Sequence, residues 1–236
     1  MAFLMLTVML ASPATAFAAT RKLPIYSVET PEAKVSISFD AAWGADDTDV
    51  LLEILAKHDV LTTFFLCGTW VDEYPDEVRK IAAAGHDIAN HGNAHAHGAK
   101  LNLAQNKAEI QGCHDKIKAV TGIDANLFRP PYGEYNDTVI TAADELGYFT
   151  IQWDVDSLDW KAKGIEYEIG RVLNHKDLRN GSIVLFHNDA KNTPKTLEPI
   201  ILGLKEKGFA IVPISQLIYT ENFEICTVTG RQKPKS

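Results

Sequence analysis

Apolar and polar positions along this chain fall into two alternating periods. Lys34-Val35-Ser36-Ile37-Ser38-Phe39 alternates residue by residue, which predicts a strand. Thr48 to His58 then carries Val50, Leu51, Ile54 and Leu55 at helical spacing, with Asp46, Asp47 or Thr48 available as N-cap. Thr62 to Leu66 is a β-branched and aromatic run, hence a buried strand. Pro75 opens a helix that Gly85 closes. His86-Asp87-Ile88-Ala89 predicts a short strand running into Asn90-His91-Gly92-Asn93-Ala94-His95. Leu103 to Thr121 is the longest helix, with an apolar stripe of Ile110, Cys113, Ile117 and Val120 and a stop at Gly122. Strands are expected at Asn126 to Phe128, Tyr148 to Trp153, Ser182 to Phe186 and Phe209 to Val212. Helices are expected at Asp137 to Leu146, Ile165 to Asn174, Thr196 to Lys207 and Ile214 to Tyr219.

This is about seven β-then-α units with short loops, no repeat and no linker, over 34–220. Such a pattern yields a doubly wound sheet or a (β/α) barrel. The barrel is favoured because the unusual polar residues follow strands: Asp40, His91, Arg129, Asp154 to Asp159 and His187. In a barrel the strand C-termini converge on one face, so residues far apart in sequence meet. An open sheet would spread them along a line, with a pocket at the switch point alone.

The ends depart from this pattern. Phe3 to Leu10 is a short apolar run, and Ala16-Phe17-Ala18 follows as an A-x-A site. Residues 1–18 therefore read as a secretory signal cut after Ala18, although no Lys or Arg precedes the run. An uncleaved anchor is the alternative. Residues 19–33 are expected to be an extended lead-in, and 221–236 a polar tail. The 236 residues carry 46% hydrophobic and 23% charged residues, which suits one globular domain. A formal charge of -8 argues against a nucleic-acid partner, whose phosphates need a basic surface. Cys67, Cys113 and Cys226 lack metal spacing, and an odd number cannot pair fully within the chain. An exported protein that does not rely on disulfides fits a bacterial cell envelope or an anaerobic setting.

The strand ends carry the chemistry. His91 and His95 can bring two imidazole nitrogens to one metal ion, although such a pair is also common on solvated surfaces. Asp40 is a candidate helix cap, metal ligand, or general base activating a metal-bound water. Arg129-Pro130-Pro131-Tyr132-Gly133 has a proline-fixed backbone that presents the Tyr132 N–H outward as an oxyanion donor. Arg129 suits a carboxylate held bidentately, or a structural salt bridge. His187 is a candidate general acid, and Asp159 a carboxylate that would hold its tautomer and raise its pKa. Trp160 offers a flat apolar wall of the kind sugar rings prefer. His58, His86, His97, His114 and His175 lack such context. Together the set is equipped for metal-assisted acyl hydrolysis.

In their order these motifs resemble the polysaccharide deacetylases with the NodB-homology domain, carbohydrate esterase family four, over Lys34 to Tyr219. The resemblance implies an α/β fold of the NodB type, a distorted (β/α) barrel of about seven strands. It implies a divalent metal, zinc first and cobalt or nickel next, and removal of acetyl groups from N-acetylglucosamine polymers, peptidoglycan or acetylxylan. By position, Asp40 matches the general base, His91 and His95 the metal pair, and Arg129 the tether of the base. The Tyr132 N–H matches the oxyanion donor, Asp159 the residue orienting the acid, and His187 the acid. Trp160 and Leu185 match the walls of the acetyl pocket. Two positions depart from the family pattern. Ala41 stands where the third metal ligand belongs, leaving Asp46 or Asp47, Asp40 itself, or water to complete the site, with Asp46 and Asp47 otherwise mere helix caps. Gly92 replaces the Ser or Thr that braces the metal loop. The Asp-Ala-Ala-Trp-Gly motif, with the Lys22 to Val28 lead-in, resembles a Gram-positive, spore-former subgroup.

The expected protein is thus a secreted or envelope-associated monomer acting on peptidoglycan or chitin-type polymer, with no membrane span after signal cleavage. Two alternatives stand beside it. One is an O-deacetylase of acetylxylan on the same fold. The other is a catalytically lapsed domain that binds glycan.

Overall fold

A computed structural model of the chain describes residues 21–235. The signal-like segment 1–18 lies outside the described residues. In chain order the elements are β1 Ser27–Val28, β2 Lys34–Ala41, α1 Thr48–Lys57, β3 Thr63–Leu66, α2 Gly68–Glu73, α3 Pro75–Ala83 and β4 Asp87–Asn90. Then come α4 Leu103–Thr121, β5 Leu127–Phe128, α5 Asp137–Glu145, β6 Phe149–Thr150, β7 Val155–Asp156, α6 Ile165–Leu173 and β8 Ile183–His187. The chain ends with α7 Thr193–Glu206, β9 Ala210–Ile211, α8 Ile214–Leu217, β10 Phe223–Ile225 and β11 Arg231–Pro234.

Seven parallel strands form one curled sheet in the order β6-β5-β4-β3-β2-β8-β7. This is the expected distorted barrel, with one exchange of membership. The predicted strand at Phe209 to Val212 pairs off this path, β9 on the start of β2 through Lys34↔Ala210 and Val35↔Ile211. Its place in the curl is taken by β7, a two-residue strand too short for periodicity to reveal. The six-residue α2 is missed for the same reason. α4 is as predicted, held by a capping box between Asn102 and Gln105 and ended by left-handed Gly122. α7 begins one turn before the expected Thr196 because Pro194 sits in its first turn, where a missing N–H costs nothing.

Side-chain alternation sorts the core into two layers. Val35, Ile37, Phe39 and Ala41 of β2 face the helices and pack with Leu51, Leu55, Trp70, Ile117 and Leu197. Inside the curl, Phe65, Ala89, Leu127, Ile151 and Ile183 form a smaller cluster with Ile25 and Val28. Ser36, Ser38 and Asp40 have the other parity and face inward. Ser38 Oγ donates to Val184 O at 2.9 Å and accepts from Arg129 Nη2 at 2.9 Å.

Residues 25–28 of the lead-in close the barrel. Ile25 N donates to Thr150 O at 2.8 Å, Gln152 N donates to Ile25 O at 2.7 Å, and Val28 N donates to Gly181 O at 2.9 Å. Residues 25–28 thus bridge the gap between β6 and β8. Gly181 is required there: a Cβ on it would lie 1.9 Å from Val28 O. A polar tail is expected at 221–236, and its described residues form a hairpin. β10 pairs antiparallel with β11, and β11 pairs parallel with β1. Its sequence is polar because Glu224, Lys233 and their neighbours face solvent, while the buried Gln232 takes Tyr219 N on its carbonyl at 2.9 Å and donates to Tyr219 O at 2.6 Å.

Candidate active site

The C-terminal ends of β2, β4, β5, β7 and β8 ring a cavity of about 720 Å3. Its walls include Asp40, His91, His95, Tyr132, Asp159, Trp160, Leu185 and His187, the residues singled out from sequence. Arg129 lies directly beneath. It is fully buried inside the curl, with its guanidinium 4.0 Å from the Phe65 ring centroid. Nη1 donates to Asp40 Oδ1 at 2.6 Å, and Nη2 to Gln152 O at 3.3 Å as well as to Ser38. Burial alone would raise the Asp40 carboxyl, but the charges of Arg129, His91 and His187 together with the Arg129 hydrogen bond outweigh it and hold the group below the ordinary carboxylate range.

His91 follows β4, and its Nδ1 lies 2.7 Å from Arg129 O. A carbonyl can only accept, so Nδ1 carries the proton and Nε2 keeps its lone pair. Nε2 lies 3.6 Å from Asp40 Oδ2, the carboxylate oxygen that Arg129 does not take. The His95 ring stands 5.0 Å from that of His91. Burial lowers the His91 pKa, and burial together with neighbouring His91 lowers that of His95 to about 4. Both imidazoles are therefore neutral at pH 7, the form that ligates a metal.

On the opposite side, Asp159 grips His187. Its Oδ1 lies 2.8 Å from His187 Nδ1, and its Oδ2 accepts His187 N at 2.7 Å and Thr193 Oγ1 at 2.9 Å. Burial pulls the His187 pKa down, but the Asp159 hydrogen bond and charge override it and leave it raised. The Tyr132 backbone is left-handed, at φ 60. Among the described residues no hydrogen bond engages its N–H.

No donor stands at position 41, because the methyl side chain of Ala41 has no ligating atom; Ala41 follows Asp40 within β2 and is fully buried. Neither Asp46 nor Asp47 lines the cavity. Nor does Asp47 cap α1 through its side chain. Its Oδ2 accepts Asp189 N at 2.8 Å, its Oδ1 has no partner, and burial raises its pKa to about 6. Among the described residues no group of three His, Cys, Asp or Glu side chains is placed to hold a metal. The chemistry of the donors still fits a divalent cation, with two neutral imidazoles beside one carboxylate oxygen, Asp40 Oδ2.

Two aromatic walls were not foreseen. Trp43 stacks on His187, with centroids 5.8 Å apart at 14°, and stands edge-on to His95 at 6.1 Å. Trp153 closes the cavity floor beside Arg129, 5.5 Å from its guanidinium. An exposed Trp directly after the Asp40 strand end was a usable signal. His97, read as unremarkable, stacks on the Tyr132 ring at 4.2 Å and lies 2.9 Å from Glu134 Oε2. Asp189 and Lys191 also line the cavity.

Comparison with known proteins agrees with this arrangement. The family model described as polysaccharide deacetylase matches residues 27–151. The chain is 32% identical over 195 residues to the uncharacterized protein YlxY of Bacillus subtilis, covering 83% of this chain and 60% of that protein. It is 31% identical over 193 residues to a peptidoglycan-N-acetylglucosamine deacetylase of Bacillus cereus, covering 80% of this chain and 70% of that one. Among solved structures, BA3943 of Bacillus anthracis, described as a CE4 family pseudoenzyme, superposes with a TM-score of 0.80 at 33% identity, over 84% of this chain and 69% of that one. A mutant of it is described as having restored enzymatic activity. With the family model spanning more than half of its residues, and its strand-end motifs gathered at one cavity, the chain belongs to the polysaccharide deacetylase family.

Proposed function

We propose that this protein hydrolyses N-acetyl groups from N-acetylglucosamine-containing polysaccharide of the bacterial cell wall, releasing acetate. The observation that carries the reading is the convergence of two buried, oppositely tuned pairs on one cavity. Arg129 holds Asp40 as a carboxylate, and Asp159 holds His187 toward its charged form. A base and an acid with pKa values pushed apart are what amide hydrolysis requires. The peptidoglycan deacetylase among the relatives supports the substrate class.

His91 and His95 would hold a divalent cation, zinc before cobalt or nickel. When bound, the ion supplies Lewis-acid polarisation of an acyl oxygen. Asp40, fixed by Arg129, takes the proton of the attacking water. The Tyr132 N–H donates to the oxygen that becomes negative as the tetrahedral centre forms. His187, fixed by Asp159, gives its proton to the leaving amine. Trp160 and Leu185 wall the acyl pocket and exclude solvent. Export to the cell envelope accords with the substrate and the signal-like N-terminus. Among the described residues no helix is long and apolar enough to cross a membrane.

A second reading, a glycan-binding domain that has lost turnover, is favoured by the missing donor at Ala41 and by the pseudoenzyme relative. Acetate release from chitooligosaccharides, peptidoglycan and acetylxylan separates the readings. Release from the first two supports the proposal. Release from xylan alone would assign an O-deacetylase. Binding of peptidoglycan with no release under any metal would assign the binder.

A further inference from the structure

The segment between the two histidines is short, irregular and held at nearly every backbone polar atom. His91 N donates to Leu66 O at 2.9 Å. Gly92 N donates to Asn90 Oδ1 at 2.8 Å. Gly92 O and Asn93 O accept from Gly68 N and Thr69 N, each at 2.9 Å. Two amides remain, those of Asn93 and Ala94, immediately before His95. Both donate to a single oxygen, Glu109 Oε2, at 3.1 and 2.9 Å. Glu109 sits on α4, on the far side of the loop from the cavity, and does not line that cavity.

The next residue in the chain is under strain. His95 adopts φ 52, a left-handed conformation that is uncommon for a residue other than glycine. Such a conformation persists only where its surroundings hold it. Upstream, Gly92 is at φ +78, and a Cβ there would meet Pro131 Cγ at 3.4 Å. Gly92 has no side chain, and at this φ a substituted one would be strained, so the loop is not secured from that position. It is secured from outside, by a carboxylate that accepts two amides at once. Charge-assisted hydrogen bonds of this kind are about twice as strong as neutral ones.

We infer that Glu109 is a positioning residue for His95: by clamping the Asn93 and Ala94 amides, it holds the His95 ring at the distance from His91 that lets both nitrogens bind one divalent cation. The inference rests on the proposed metal role of the two histidines. In a site with few protein donors, misplacing one imidazole removes a large share of the affinity. Outer partners of metal ligands typically change affinity about 10–100-fold.

The test titrates zinc into wild type, Glu109→Ala and Glu109→Gln, and follows amide hydrogen exchange of Asn93 and Ala94 in the metal-free proteins. Glu109→Ala should bind zinc about 10–100-fold more weakly, with Tm close to wild type and faster exchange at both amides. Glu109→Gln, whose amide oxygen can still accept both N–H groups, should recover most of the affinity. Wild-type zinc affinity in Glu109→Ala would overturn the inference, as would equal loss in Glu109→Gln. If wild type binds no zinc, the metal reading of the histidines fails by itself. The clamp is then judged by exchange: unchanged exchange in Glu109→Ala rejects it, and selective acceleration at Asn93 and Ala94 upholds it.

Discussion

At the scale of the residue, the site is a set of charges tuned by their neighbours. His187 owes its raised pKa to Asp159, against the effect of burial. A His raised in the folded state is stabilising below its unfolded value of about 6.5, and that contribution is lost as pH rises through the folded value. As an acid it must be protonated, so the rate should fall on the alkaline side of that same value. Asp159→Asn should move this fall to lower pH and reduce kcat by about 10²–10⁴-fold, read from a pH–rate profile. An unmoved alkaline limb would remove His187 as the acid. Asp47 is the opposite case. Its carboxyl is raised to about 6 by burial, so ionising it at neutral pH costs the folded state stability. The sign for a raised acid is destabilisation above the folded value, fading as pH falls from 6 towards 3.8. Asp47→Asn keeps an acceptor for Asp189 N, and its Tm should equal or exceed wild type at pH 7, with the advantage gone near pH 4. A lower Tm at pH 7 would show that the charge itself is needed, for instance by a cation.

At the scale of the element, the strands position the chemistry and the lead-in completes the barrel. Ile25 is 1% exposed and packs inside the curl with Ile151 and Ile183. Ile25→Ala should cost about 2–5 kcal/mol, measured by denaturant unfolding. A cost under about 1 kcal/mol would mean that the segment merely lies on the surface. Elements with eight or more residues and a clear period were legible in the sequence: β2, α1, α4 and α5 lie within two residues of their expected ends. What escaped was short or held from afar. β7 has two residues and carries no period of its own. β10 and β11 hide their buried side in one glutamine, because a small sheet with one wet face needs little apolar surface.

At the scale of the whole molecule, the curl brings residues nearly 150 positions apart to one cavity. The six polar residues Asp40, His91, His95, Arg129, Asp159 and His187 were legible because each lies at or after the C-terminal end of a strand, and parallel strands share one C-terminal face. No third donor was legible, since Asp46 and Asp47, though near Asp40 in sequence, do not line the cavity. Glu109 was equally hidden. It acts on backbone amides from a different helix, which no spacing rule encodes. Trp43 stood in the sequence beside Asp40, but its stacking on His187 depends on two strands lying side by side through Asp40↔His187.

If two imidazoles and one arginine-held carboxylate suffice for metal-dependent deacetylation without a donor at Ala41, turnover must depend on zinc and on Asp40 together. The most direct measurement is acetate released from peptidoglycan by chelator-stripped protein before and after zinc is restored, with Asp40→Asn as control. Release should appear with zinc, and should be absent both in stripped protein and in Asp40→Asn. Zinc-loaded wild-type protein that binds peptidoglycan and releases no acetate would contradict the proposed function.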